Sequence, residues 1–107
     1  MSVGIIAGNV ASLSVINATV DLGSVAANTS EEETATVPGV ITGDVVFVSD
    51  SALSAGQVVA QARVSAANTV TLQVINTTAA PIDAAARTMT FFVIRPEGQS
   101  AASRVLT

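Results

Sequence analysis

A chain of 107 residues is long enough to bury one hydrophobic core and too short for two, so it reads as a single domain. Charged residues make up 11% of it, less than half the usual share of roughly 25%, and they leave a net charge of −4 with no lysine and no histidine. That balance excludes the clustered basic surface that holds nucleic-acid phosphates, and the lack of cysteine excludes disulfides and thiolate metal sites.

Half the residues are hydrophobic, but alanine and valine supply most of them and aromatics are only 3%. A core of small side chains leaves little surplus over the entropy of ordering the chain, so help from partner subunits is expected. Residues 1–20 carry no charge. A secretory leader needs a basic start and a membrane span needs about 20 mainly apolar residues, whereas Gly4, Gly8, Asn9, Ser12, Ser14 and Asn17 interrupt this stretch. Neither a signal nor an anchor is expected. Residues 1–8, apolar at Val3, Ile5 and Ile6, read either as a tail or edge strand or as an arm that docks on another subunit. The expected division is an arm at 1–10, a β domain at 11–96 and a tail at 97–107, in which Val105 and Leu106 can pack if something holds them.

The first strand is expected over 13–21, followed by a connection at 22–30 with Gly23, Asn28 and Ser30 as turn formers. Ser30 and Glu33 have the spacing of a helix capping box, but no apolar helical period follows. Thr34, Thr36 and Val37 predict a strand instead, with Glu31, Glu32 and Glu33 at its solvated start. Adjacent carboxylates on a strand point to opposite faces, so this triplet predicts no metal site. Pro38 and Gly39 stand in the order of a type II turn, and a second break falls at Thr42, Gly43 and Asp44. The continuous apolar run 45–48 predicts a strand covered on both faces, and 50–56 a loop.

Residues 57–96 predict three successive antiparallel strands around which the rest is arranged. In the first, Val58, Ala60, Ala62, Val64 and Ala66 share one parity, and Gln61, Arg63 and Ser65 share the other with Val59. A tight turn at Ala67 and Asn68 leads to a returning strand in which Val70, Leu72 and Val74 alternate with Thr71, Gln73 and Ile75. The loop 76–86 contains Pro81, which argues against a strand there. In the last strand Met89, Phe91 and Val93 oppose Thr88, Thr90, Phe92 and Ile94, so Phe92 and Ile94 face outward and need a cover.

The sequence supplies little chemistry. Without His or Cys the common nucleophile and base pairs are missing, and no glycine-rich phosphate loop follows a strand. Asp21, Asp44, Asp50 and Asp83 all sit beside predicted turns, where Asp is expected for backbone reasons. No catalytic, cofactor-binding or metal-binding residue is predicted, and no enzyme. The three N-glycosylation sequons at Asn17, Asn28 and Asn76 are chance matches in a chain rich in Asn and Thr.

The segments NTSEEETATVPGVITGDVVFVS and QARVSAANTVTLQVINTTAAPIDAAARTMTFFVIRP resemble the small β-sandwich proteins encoded among the structural genes of tailed bacteriophages, including cyanophages. The likeness lies in a strand ending Val-Pro-Gly, a Gly-Asp turn into an apolar strand, and an S-A-A-N-T-V hairpin leading through a Pro-containing loop to a final strand. It covers residues 22–96. Members of this size resemble capsid decoration, or cement, proteins, and similar modules occur in tail fibres; the lack of a fibre-stalk repeat or coiled-coil heptads favours decoration. The resemblance leaves residues 1–20 uncovered, so a docking role for them is read from their composition alone.

These readings together predict an all-β, mainly antiparallel two-layer sandwich of about seven strands, Ig-like or jelly-roll-like, with an extended N-terminal arm. The expected function is a non-enzymatic virion protein on the outer capsid surface, made in the host cytoplasm, that binds the major capsid protein lattice and stabilises the head. Acidity decides the side, because an inner-face protein sits against packaged DNA. The alternative is a receptor- or carbohydrate-binding module of a tail or head fibre, or a fragment of a larger adhesin. Expected partners are the major capsid protein and the chain itself, as a homotrimer before a dimer, with no nucleic acid, membrane or cofactor. The expected contact residues are Val3, Ile5, Ile6, Phe92 and Ile94, or Val46 and Val48 if the sheet presents its other face.

Overall fold

Eight strands and no helix make up residues 10–97, the part of the chain that the computed structural model describes. The arm residues Val3, Ile5 and Ile6, and Val105 and Leu106 of the tail, lie outside that range. One sheet has the order β1 (Val10–Val20), β8 (Arg87–Pro96), β4 (Val45–Ser49), and the second has the order β3 (Thr29–Thr36), β6 (Thr69–Asn76), β5 (Gln57–Ala66). The two-residue strands β2 (Ser24–Val25) and β7 (Ile82–Asp83) pair with each other. Every pairing among the described residues is antiparallel. The protein is thus an all-β sandwich of two layers. Its order β3-β6-β5 against β4-β8 repeats the B-E-D and C-F arrangement of the immunoglobulin sandwich, and β1 takes the place beside β8 that strand G holds there.

Among the described residues nine of the fourteen buried apolar side chains are valines, and Phe91 is the one large aromatic among them. The alternation predicted for β6 and β8 puts Val70, Leu72 and Val74 opposite Met89, Phe91 and Val93 across the sandwich core. The last strand does not lie beside β6, however, as a run of three neighbouring strands implies: β8 crosses to the other sheet and becomes its centre. The parity of β5 also differs from the expectation. A bulge at Ala60, between the pairs Val59–Val74 and Gln61–Gln73, inserts one residue and reverses the pleat, so Val58 points out while Val59, Ala62 and Val64 point in.

Four further expectations are corrected. β1 begins at Val10 rather than at 13, and the segment 22–30 is more than a connection, since Leu22 and Val25 are fully buried and β2 pairs with β7 directly after Pro81. The glutamates lie in the middle of β3 rather than at its start. Within one chain the run 45–48 is covered on one face only: Val46 and Val48 turn toward the core and Val45 and Phe47 turn outward.

The turns behave as their residues require. Gly39 adopts φ +96° and Val40 N–H reaches Val37 O at 3.5 Å, the type II turn that Pro38-Gly39 predicts. Asn68 adopts φ 61° at the hairpin tip. Its N–H donates to Val40 O (2.8 Å), its carbonyl accepts from Val37 N–H (2.9 Å) and its Oδ1 accepts from Gly39 N–H (2.8 Å), so one residue ties two turns together. At the other end Asn76, fully buried, donates to Val25 O (3.0 Å) and Ala80 O (2.8 Å) and accepts from Thr78 N–H (2.8 Å) and Oγ1 (2.7 Å). These bonds hold the loop after β6 against β2, which explains why a short ladder forms where Pro81 predicts none.

Candidate docking face

The first sheet is held square by two ion pairs. Asp44 and Asp50 immediately precede and follow β4, and Arg95 and Arg87 lie near the two ends of β8. Arg95 donates through Nε to Asp44 Oδ1 (2.9 Å) and through Nη2 to Asp44 Oδ2 (2.8 Å) and to Gly39 O (2.8 Å). Arg87 donates through Nε to both Asp50 oxygens (2.9 and 3.0 Å) and through Nη2 to Oδ2. Two-pronged pairs of this kind fix geometry as well as charge. Both carboxyls are held below the usual range, chiefly by the guanidinium hydrogen bonds, which outweigh the opposing effect of burial. Each carboxylate also caps its own turn, Asp44 for Ile41 N–H and Asp50 for Ala52 N–H, so the turn role predicted for these residues is kept alongside the ion pair.

With β4 and β8 pinned, the outward residues fall into rows. Leu13, Ile94 and Val45 form one row across β1, β8 and β4, and Val15, Phe92 and Phe47 form the next. The rings of Phe47 and Phe92 stack with centroids 6.5 Å apart at 24°. Val15 is 68% exposed, Phe47 58%, Val45 46%, Leu13 44% and Phe92 39%, a contiguous apolar patch that none of the described residues covers. The third row is polar, Asn17, Thr90 and Ser49, with Thr90 Oγ1 donating to Asn17 Oδ1 at 2.8 Å. No charged residue stands on this outward face anywhere between Leu13 and Thr19, Val45 and Ser49, or Thr88 and Ile94.

The second sheet is mainly polar outside, with Val58 as its exposed apolar residue. Its outer face carries Glu32 and Arg63, paired at 3.1 Å, with Gln61, Gln73, and Ser65 hydrogen-bonded to Thr71 at 2.7 Å. Along β3, Glu31 and Glu33 share a side, two residues apart, rather than facing away from each other as neighbours do. Burial, then the charge of Glu31 and a hydrogen bond with it, then Asp21, raise the Glu33 carboxyl above its ordinary range. Among the described residues no group of three or more His, Cys, Asp or Glu is placed to hold a metal ion. A shallow depression of about 370 Å³ beside Ser12, Ser14, Pro38 and Val40 contains Arg95, whose guanidinium is already engaged by Asp44 and Gly39.

Of the contact residues expected from sequence, Phe92 and Ile94 stand on the apolar patch and Val46 and Val48 point away from it, while Val3, Ile5 and Ile6 lie outside the described residues. The sequence reading missed Leu13, Val15, Val45 and Phe47. A signal was available in β1, where Leu13 and Val15 share parity with Asn17 and Thr19 and oppose Ile16, Ala18 and Val20, the same apolar-on-the-wet-side pattern that marked Phe92 and Ile94. No protein-family model, no curated protein and no solved structure matches the chain.

Proposed function

We propose that this chain is a non-enzymatic structural protein of a tailed-bacteriophage head, which binds the outer surface of the major capsid protein lattice and stabilises it as a closed homo-oligomer, three copies before two. The observation that carries the reading is the uncharged apolar patch of β1, β8 and β4 on an otherwise acidic domain. A small domain that leaves Leu13, Val15, Val45, Phe47 and Phe92 exposed on one face is built to be covered by protein. The resemblance of residues 22–96 to capsid decoration proteins supplies the setting, and a net charge of −4 without lysine disfavours a place against packaged DNA.

The test is co-sedimentation with expanded, empty heads assembled from the major capsid protein encoded alongside this chain, set against binding to host cells. Pelleting with heads and not with cells is expected. Binding to cells alone replaces the reading with a receptor-binding one.

A further inference from the structure

We infer that the patch formed by Leu13, Val15, Val45, Phe47, Phe92 and Ile94 is where copies of this chain meet each other, the same face of every copy turned to the shared axis. This deepens the homo-oligomer part of the proposed function and rests on that reading only for the number of copies. Charge placement selects the occupant. Among the described residues Glu32, Asp44 and Asp50 are each paired with an arginine; Asp21, Glu31, Glu33 and Asp83 stand outside these pairs on the rim, on β3 and on β7, and Glu97 follows the end of β8. None lies on the outward face of the first sheet. Two copies of an acidic chain repel wherever these acids approach one another. When the first sheets face each other, a whole sandwich layer, about 10 Å thick, separates each β3 from the contact, and that is already a Debye length at physiological salt, roughly 8–10 Å.

The strand edges point the same way. Edge strands need protection against pairing with other chains, commonly by charge or bulges. In the second sheet, edge β3 carries Glu31, Glu32 and Glu33, and edge β5 carries Arg63 and bulges at Ala60 and Ser65. In the first sheet, edges β1 and β4 carry no charge at all, and the one irregularity is at Ala11, at the very start of β1. One layer is guarded and the other is left open on its face and on both flanks. The patch exposes a few hundred Å² by the size that marks functional patches, short of the roughly 800 Å² per partner of a standard interface. A contact at this small end of the range is weak or transient when it acts without help from further contacts. Val10 and Pro96 are paired beside the Leu13 row, so the described residues begin and end next to this contact.

The experiment is light scattering on the full chain, without capsids, from about 1 to 200 μM, a range that brackets micromolar affinity. A mass of two or three 10.7 kDa chains is expected at the upper end. Phe47→Asp on β4 and Val15→Asp on β1 each place a charge on an already exposed side chain and are expected to weaken association by at least about tenfold, while Thr34→Asp on the outer face of the second sheet leaves it unchanged. Circular dichroism establishes that each variant is folded, and the two variants on opposite edge strands guard against one failing to fold. A monomer at 200 μM overturns the inference. So does an oligomer that survives both substitutions, or one that is lost only when residues 1–8 are deleted. Capsid binding is measured separately, so a monomer that still pellets with heads sinks this inference and the homo-oligomer and leaves the capsid-binding part of the proposed function standing.

Discussion

At the scale of single residues, the polar side chains carry more of the fold than their number suggests. Asn76 satisfies four hydrogen bonds from a fully buried position, and Ala80 O is shared with Thr78 Oγ1 (2.8 Å). Asn76→Leu removes the side-chain partner of Val25 O and Thr78 N–H and leaves Ala80 O to Thr78. At about 1–3 kcal/mol for each unsatisfied buried group, a loss of at least about 2 kcal/mol is expected by urea unfolding. Because the amide is buried, the Asn76 sequon is closed to modification in the folded chain. Glu33 works the other way. Its carboxyl is raised by burial and by Glu31, so above its folded pKa the charge costs stability, and the cost disappears as pH falls through that value toward the unfolded one near 4.3. Glu33→Gln is expected to raise Tm at pH 7 and to make no difference at pH 4, and thermal melts at the two pH values check it.

At the scale of elements, β4 depends on its two brackets. It is five residues long, and Asp44 and Asp50 fasten its ends to Arg95 and Arg87. Side-chain exposure of the Asp50–Arg87 pair is only 3% and 13%. Removing Asp50 leaves Arg87 with a buried charge, so Asp50→Ala is expected to cost about 2–3 kcal/mol, toward the low side for a broken buried pair because Arg87 keeps some water. Both Asp carboxyls are depressed, so their contribution is complete above the unfolded value of about 3.9 and is lost as pH falls below it. Acid unfolding below pH 4 is the expected outcome, and it is steeper in the native chain than in Asp50→Ala. The elements themselves were largely legible, because β6 and β8 alternate cleanly and Pro38-Gly39 and Asn68 announce their turns. What periodicity does not encode is the bulge at Ala60, which reverses β5, and the side chain of Asn76, which recruits β2 and β7 across 51 residues of chain. The Asp–Arg brackets escaped notice for the same reason: each joins residues far apart in sequence, and nothing local marks the partner.

At the scale of the whole molecule, the two layers divide the work. The second sheet faces water with paired charges and hydroxyls, and the first turns two rows of aliphatic and aromatic side chains outward. A third of that patch was visible in β8 alone, since Phe92 and Ile94 fall on the wet parity, and the parity of β1 offered the same signal for Leu13 and Val15. Joining these residues to Val45 and Phe47 required knowing that β1 and β4 flank β8, an order that a sequence of ordinary strands does not specify. With so few charges on the chain, the attachment to a head is expected to be nearly independent of salt, and the patch that joins the copies lets several engage at once. The most direct measurement is co-sedimentation of the native chain and Phe47→Asp with expanded, empty heads at about 50 and 500 mM salt. The account predicts that the native chain pellets equally at both and that the variant is largely lost to the supernatant. Failure of the native chain to pellet, or release of it by high salt, contradicts the account.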